Sequence, residues 1–251
     1  MQRQQLEQYL ADYLATSQIS DYSPNGLQVE GRTDIKRIVT GVTASQRLLD
    51  AAVQAQADAI LVHHGYFWKN EPAVITGMKK QRIATLLQHD INLFGYHLPI
   101  DVHPEVGNNA QLGRLLGFTE CQAVESIAPT GVVMQGQFDT PVSLAALVNI
   151  LEQQLQRSMV CVEAVHDNIC TVAWCTGGGQ GFIDAAAAAG ADLFITGEVS
   201  EQTIHSAREL GINFIAAGHH ATERYGIRAL GEHLAERFGL EHQFIDIDNP
   251  A

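Results

Sequence analysis

The sequence predicts an α/β fold made of two related α/β units built on an internal βαβαβ duplication, three-layer, with mainly parallel sheets. Three observations predict it. Short apolar runs (IVTGVT, ADAILV, INLFGY) alternate with segments of helical periodicity such as SQRLLDAAVQAQ. The arrangement then recurs: a shift of 134 positions aligns VAWCTGGGQGFIDAAAAAGADLFITGE with the stretch from Ile38 without a gap, matching Gln46 with Gln180, Asp50 with Asp184 and Ala57-Asp58 with Ala191-Asp192. Beyond a connection of changed length, RIATLLQHDINLFGYH resembles TIHSARELGINFIAAGHH, again helix then strand. Successive βαβ units with right-handed crossovers give parallel strands covered on both faces by helices.

Taken in order, Arg3 to Thr16 reads as an amphipathic helix and DYSPNG (Asp21 to Gly26) as a turn-rich loop. The first repeat follows from Ile38. Between the repeats, residues near 119 to 168 hold a strand GVVMQGQF, a helix from Val142 to Gln156 opened by Asp139-Thr140-Pro141 as cap and first turn, and a strand MVCVEAV. The second repeat starts at Val172. A domain boundary is expected near residue 128, giving units 1–128 and 129–251.

Composition narrows the function classes. With 28 acidic against 15 basic side chains the formal net charge is -13, which argues against nucleic acid and anionic membranes as partners and leaves small molecules. The polar N-terminus lacks the apolar core of a signal peptide, and no apolar stretch reaches membrane-spanning length, so a cytoplasmic location is expected. Cys121, Cys161, Cys170 and Cys175 form no CxxC pair and read as buried reduced thiols.

The chemistry is concentrated in the histidines. His63-His64 follow ADAILV, His97 and Asp101 follow INLFGY, and His219-His220 follow INFIAAG. All three clusters sit at strand carboxyl ends, where open α/β sheets bind ligands. His97-x3-Asp101 and His219-x3-Glu223 repeat one imidazole–carboxylate spacing. Imidazole nitrogen and carboxylate oxygen are ligands of borderline divalent metals (Fe, Zn, Mn, Ni or Co), and the absence of nearby Cys argues against a thiolate site. A helix starting near His220 would put 219 and 223 one turn apart on the same side. In extended backbone His63 and His64 point to opposite sides, a geometry suited to two neighbouring ions. The candidate ligands are therefore His63, His64, Asp101, His219 and Glu223. His97 is the candidate proton shuttle, and His97 and His103 could also orient ligands. His89, His166, His205, His233 and His242 fall on helices or surface loops.

Other features speak less specifically. Gly177-Gly178-Gly179-Gln180 reads as a tight turn, lacking a P-loop Lys-Ser/Thr. Glu198 and Glu201 occupy the positions of His64 and Phe67 in the first repeat and could border the same site. Tyr66, Phe67 and Trp68 read as packing or a subunit contact.

The segments SDYSPNGLQVEG, ILVHHGYFWK, GYHLPIDVHPEVGNNAQLG, WCTGGGQGFIDAAA, FITGEVSEQTIHSA and AAGHHATERYGIRAL together resemble the dinuclear-metal family labelled GTP cyclohydrolase type 2 homologues. The resemblance runs over almost the whole chain, weakest from about 120 to 168. It implies a two-domain protomer, a ring-shaped homohexamer, and two divalent metal ions in a cleft between the units, ligated by His63, His64, Asp101, His219 and Glu223. Where the family has Thr after the His of its HTxxD segment, Leu98 stands here. Two functions follow: a metal-dependent hydrolase of a nucleotide or related heterocycle, or a metal-stabilised interaction or regulatory protein without turnover.

Overall fold

The computed structural model describes residues 1–164 and 168–251. The elements in chain order are α1 (Arg3–Tyr13), β1 (Gly26–Val29), β2 (Arg37–Thr43), α2 (Gln46–Gln54), β3 (Ala59–His64), α3 (Gly77–Gln88), β4 (Asn92–Gly95), α4 (Leu98–Asp101), α5 (Asn108–Leu116), β5 (Thr119–Ala123), β6 (Met134–Val142), α6 (Leu144–Leu155), β7 (Val160–Val162), β8 (Ile169–Cys175), α7 (Ile183–Ala188), β9 (Leu193–Thr196), α8 (Glu201–Leu210), β10 (Asn213–Ala216), α9 (His219–Phe238) and β11 (Glu241–Phe244). They form two sheets, β1-β4-β3-β2-β11 and β5-β6-β8-β9-β10-β7.

By contact the chain divides into Met1–Ile100 with Gly226–Asp248, and Asp101–Tyr225 with Asn249–Ala251. This differs from a single cut at residue 128. The chain returns to its first sheet because β11 pairs in parallel with β2, Glu241 opposite Arg37. EHQF is mostly polar, with no fully buried position, so hydropathy gives little sign of it.

In the first unit β2, β3 and β4 are parallel and only β1 is antiparallel. Val39, Ile60, Val62 and Leu93 pack with Leu48, Leu49 and Ala52 of α2 and Ile83 and Leu86 of α3. The alternate residues Ile38, Leu61 and Phe94 are equally inaccessible, so both faces of the sheet are covered. In the second unit β8, β9 and β10 are parallel, flanked by antiparallel β6 and β7. Val172, Trp174, Leu193 and Ile195 pack with leucines of α5 and α6, while Phe194 and Phe214 in alternate register, and Ile183 and Ala186 of α7, are also buried.

The duplication holds down to the hydrogen-bond register. Ile38 pairs with Ala59 and Ala59 with Asn92; Val172 pairs with Leu193 and Leu193 with Asn213. The matched aspartates explain why those positions resemble one another. Asp58 Oδ2 accepts from the backbone N–H of Lys36 and Arg37, and Asp192 Oδ2 from those of Cys170 and Thr171. Asn92 and Asn213 then each donate Nδ2 to the carbonyl of that aspartate, at 3.1 Å in both units. Each Asp–Asn pair thus satisfies backbone groups where three strands begin.

One local expectation is corrected. Asp139-Thr140-Pro141 does not cap α6 but ends β6; Ser143 is the cap, its Oγ accepting from Ala146 N at 3.2 Å. Pro141 falls where the β6–β8 register shifts between Gln137 and Val142, a place where a missing N–H costs no ladder bond.

Candidate metal centre

In the first unit His63 is fully buried near the end of β3, with Nδ1 3.0 Å from the Tyr96 carbonyl. That contact puts the ring proton on Nδ1 and the lone pair on Nε2. His64 Nδ1 lies 3.1 Å from Thr43 Oγ1. The two rings do not splay to opposite sides as extended backbone would place them. Their centroids are 4.4 Å apart, tilted by 41°, because β3 ends at His64 and the alternation ends with it. His97, after β4, is buried beside them, and one ring nitrogen from each of His63, His64 and His97 falls within 4.8 Å of the others.

The residue that orients His97 is one that sequence reasoning missed. Asp21 Oδ1 lies 2.9 Å from His97 Nδ1, and Asp21 also accepts from Leu98 N and Asn25 Nδ2. Burial alone would raise its pKa, but the hydrogen bonds from His97, Asn25 and Leu98, together with the His97 charge, hold it down at about 2. The signal available was its place at the head of DYSPNG: Asp21 Oδ1 accepts from the N–H of Tyr22 and Ser23, an Asx turn. Trp68 packs edge-on to His97 with centroids 5.0 Å apart, while Tyr66 is buried and donates its hydroxyl to the Ala44 carbonyl.

In the second unit Asp101 and Glu223 are both buried, and a carboxylate oxygen of one lies within 4.8 Å of one of the other. Asp101 accepts from Asn108 Nδ2 at 2.8 Å. His219 opens α9 and sets Nε2 3.2 Å from Glu223 Oε2, one turn on; its Nδ1 is 2.7 Å from Glu198 Oε1. Burial would lower the His219 pKa, but Glu223 and Glu198 outweigh it and push the imidazole up to about 9. Glu198 therefore does border this cluster, as the orienting carboxylate of His219.

The glycine loop proves to be a turn with a steric purpose. Gly177 has φ +65°, and a Cβ there would fall on Glu223 Oε1. Two of its backbone N–H groups are used internally, Gly177 on Thr222 Oγ1 and Gly179 on Thr196 Oγ1, each at 3.0 Å. Cys175, nearby, is kept a thiol: burial first, then Asp101 and Glu223, push its pKa well up. The donors are thus nitrogen and oxygen, which fits a divalent cation of borderline or hard character.

Other histidines lie elsewhere in the fold. His103 Nδ1 accepts from the N–H of Glu105 and Val106, His233 stacks on Tyr13 with centroids 4.4 Å apart, and His89 follows the end of α3. His205 lies within α8. His242, expected on a helix or loop, is on β11 with Nε2 2.8 Å from Thr40 Oγ1. His166 lies outside the described residues. All four cysteines are free, yet only Cys175 is buried; Cys121 and Cys161 are exposed because they lie on the edge strands β5 and β7.

Two α/β units built on one duplicated core, with imidazoles and carboxylates collected at strand ends, define a class of α/β proteins whose residue groups could hold metal ions. The chain belongs to the DUF34/NIF3 family (NGG1p interacting factor 3), which it matches over residues 1–250. A Yersinia pestis relative named GTP cyclohydrolase 1 type 2 homolog is 61% identical over 252 residues, covering 100% of both chains. Among solved structures, protein ybgI shares 56% identity at a TM-score of 0.96, and TTHA1606 from Thermus thermophilus 36% at 0.92, each covering 100% of both chains. No helix among the described residues is long and apolar enough to cross a membrane.

Proposed function

We propose that the chain is a dinuclear metal-dependent hydrolase in which His63, His64, Asp101, His219 and Glu223 hold two divalent ions (Fe, Zn, Mn, Ni or Co). The observation that carries this reading is the buried pair Asp101 and Glu223, with carboxylate oxygens within 4.8 Å of each other. Two buried anions that close repel unless cations neutralise them. When bound, such ions supply Lewis acidity that polarises a scissile bond and acidifies water.

The chain's own residues do the rest. Thr43, Tyr96 and Glu198 engage Nδ1 of His64, His63 and His219, so each would present Nε2 to an ion, His219 exchanging its contact with Glu223 Oε2 for it. Asp21 engages Nδ1 of His97, so His97 takes up and gives back a proton at Nε2. The relatives' name directs the reading to a small-molecule substrate, a nucleotide or related heterocycle. The family resemblance adds a ring-shaped homohexamer, and the composition a cytoplasmic location.

The test is Glu223→Gln. The amide nearly matches the carboxylate in size but has one good ligand oxygen and no charge. Metal content should fall, hydrolysis of GTP and of a nucleotide and phosphoester panel should disappear, and thermal unfolding should hardly change. Full turnover with metal lost contradicts the mechanism. No turnover by a fully metallated wild-type chain over the panel favours a metal-stabilised interaction protein.

A further inference from the structure

Tyr22 lies in the loop of the first unit whose Asp21 orients His97, and it is 54% exposed. Its neighbours account for the covered part. Trp68 packs on it with ring centroids 5.6 Å apart and planes tilted by 37°, and the His97 ring meets it at 4.9 Å and 68°. The rest of the ring faces solvent. Trp68, itself only partly buried, also reaches His64, with centroids 5.9 Å apart. An open aromatic corner therefore stands against the imidazoles of the first cluster.

A single exposed aromatic is ordinary on a protein surface. This one is held in place. Its N–H donates to Asp21 Oδ1 at 2.7 Å and its carbonyl accepts from Lys69 N at 2.9 Å, which ties the loop to the residue after Trp68. The indole is fixed in turn, its Nε1 donating to the Gly65 carbonyl at 3.1 Å. Tyr66 shows the contrast: it is 4% exposed with its hydroxyl on the Ala44 carbonyl, and it only packs. A preorganised pair of electron-rich rings loses little freedom on binding and suits a flat, electron-poor ring laid against it.

We propose that Tyr22, backed by Trp68, is the recognition surface for a planar heteroaromatic ring, which stacks on the open face of Tyr22 beside His97 and His64. That this ring belongs to the substrate rests on the hydrolase reading of the cluster; the stacking surface itself does not. It sets the substrate apart from phosphoesters and amides that carry no ring.

The chain has two tryptophans and Trp174 is wholly inaccessible, so quenching of indole fluorescence by a bound ring reports on Trp68. The probes are inosine and, lacking the ring, ribose, titrated into the full chain both manganese-loaded and chelator-stripped, with calorimetry alongside. Inosine should bind saturably and quench; ribose should do neither. Tyr22→Ala, at an exposed position that folding tolerates, should weaken inosine at least tenfold, and Tyr22→Phe, which keeps the ring, less than threefold. The proposal is overturned if a fully metallated chain binds no inosine up to about 1 mM, if ribose binds equally well, or if Tyr22→Ala leaves inosine binding unchanged. The first of these results leaves the hydrolase reading standing for substrates without a ring. Inosine binding sensitive to Tyr22→Ala in a chain that takes up no metal supports the stacking surface while refuting the metal reading.

Discussion

The two repeats are alike where the strands begin and unlike where they end. At the start, Asp58 with Asn92 and Asp192 with Asn213 make the same bonds to equivalent backbone groups. At the end, the position that Thr43 holds in the first repeat is Gly177 in the second. Thr43 supplies a hydroxyl to His64 Nδ1, whereas Gly177 supplies empty space for the Glu223 carboxylate. The repeats still reach one solution by different routes, since His97 and His219 each have Nδ1 engaged by a carboxylate, Asp21 in one and Glu198 in the other. Strand starts carry the fold and strand ends gather the imidazoles and carboxylates, where open α/β sheets bind ligands.

The largest stability effect should come from the strand-start ties. Asp58→Ala removes an acceptor for two backbone N–H groups and the ion pair with Arg32 at 2.9 Å. It should cost about 3 kcal/mol. Asp192→Ala, losing only the two N–H bonds, should cost about 2 kcal/mol. Urea unfolding of both variants checks the order; no loss in either breaks the claim that these ties hold the repeats.

Gly177→Ala sharpens the contrast at the strand ends. An L side chain at that positive φ costs about 1–2 kcal/mol, and its methyl displaces Glu223. Manganese affinity should drop at least tenfold with modest loss of stability. A metal titration showing unchanged affinity would remove the steric account of the loop.

Asp21→Asn should have a specific pH signature. The Asp21 pKa lies near 2 in the folded chain against an ordinary 3.8. Its contribution is therefore present above about 3.8 and is lost as pH falls towards 2. The stability gap between wild type and Asp21→Asn should narrow as pH falls from 4 to 2. A gap that widens with acid reverses the sign and contradicts the assignment.

What was legible in the sequence follows the same division. The repetition of β2-β3-β4 as β8-β9-β10 was visible because matched aspartates and alanines occupy matched structural roles, and the histidines advertised the strand ends by clustering there. Asp21 was not visible as a partner of His97 because 76 residues separate them and its local spacing says only turn. The β11 return was hidden by a polar sequence, and the α6 start was displaced because Asp139-Thr140-Pro141 carries cap chemistry that the β6–β8 pairing overrides.

The central claim is that the two strand-end clusters together hold a pair of ions. Native mass spectrometry of the manganese-reconstituted chain tests it most directly, on wild type, His63→Ala and His219→Ala. The account predicts two ions per wild-type chain and fewer in each variant, since either cluster alone leaves the pair incomplete. One ion or none in the wild type, or two retained in both variants, would contradict it.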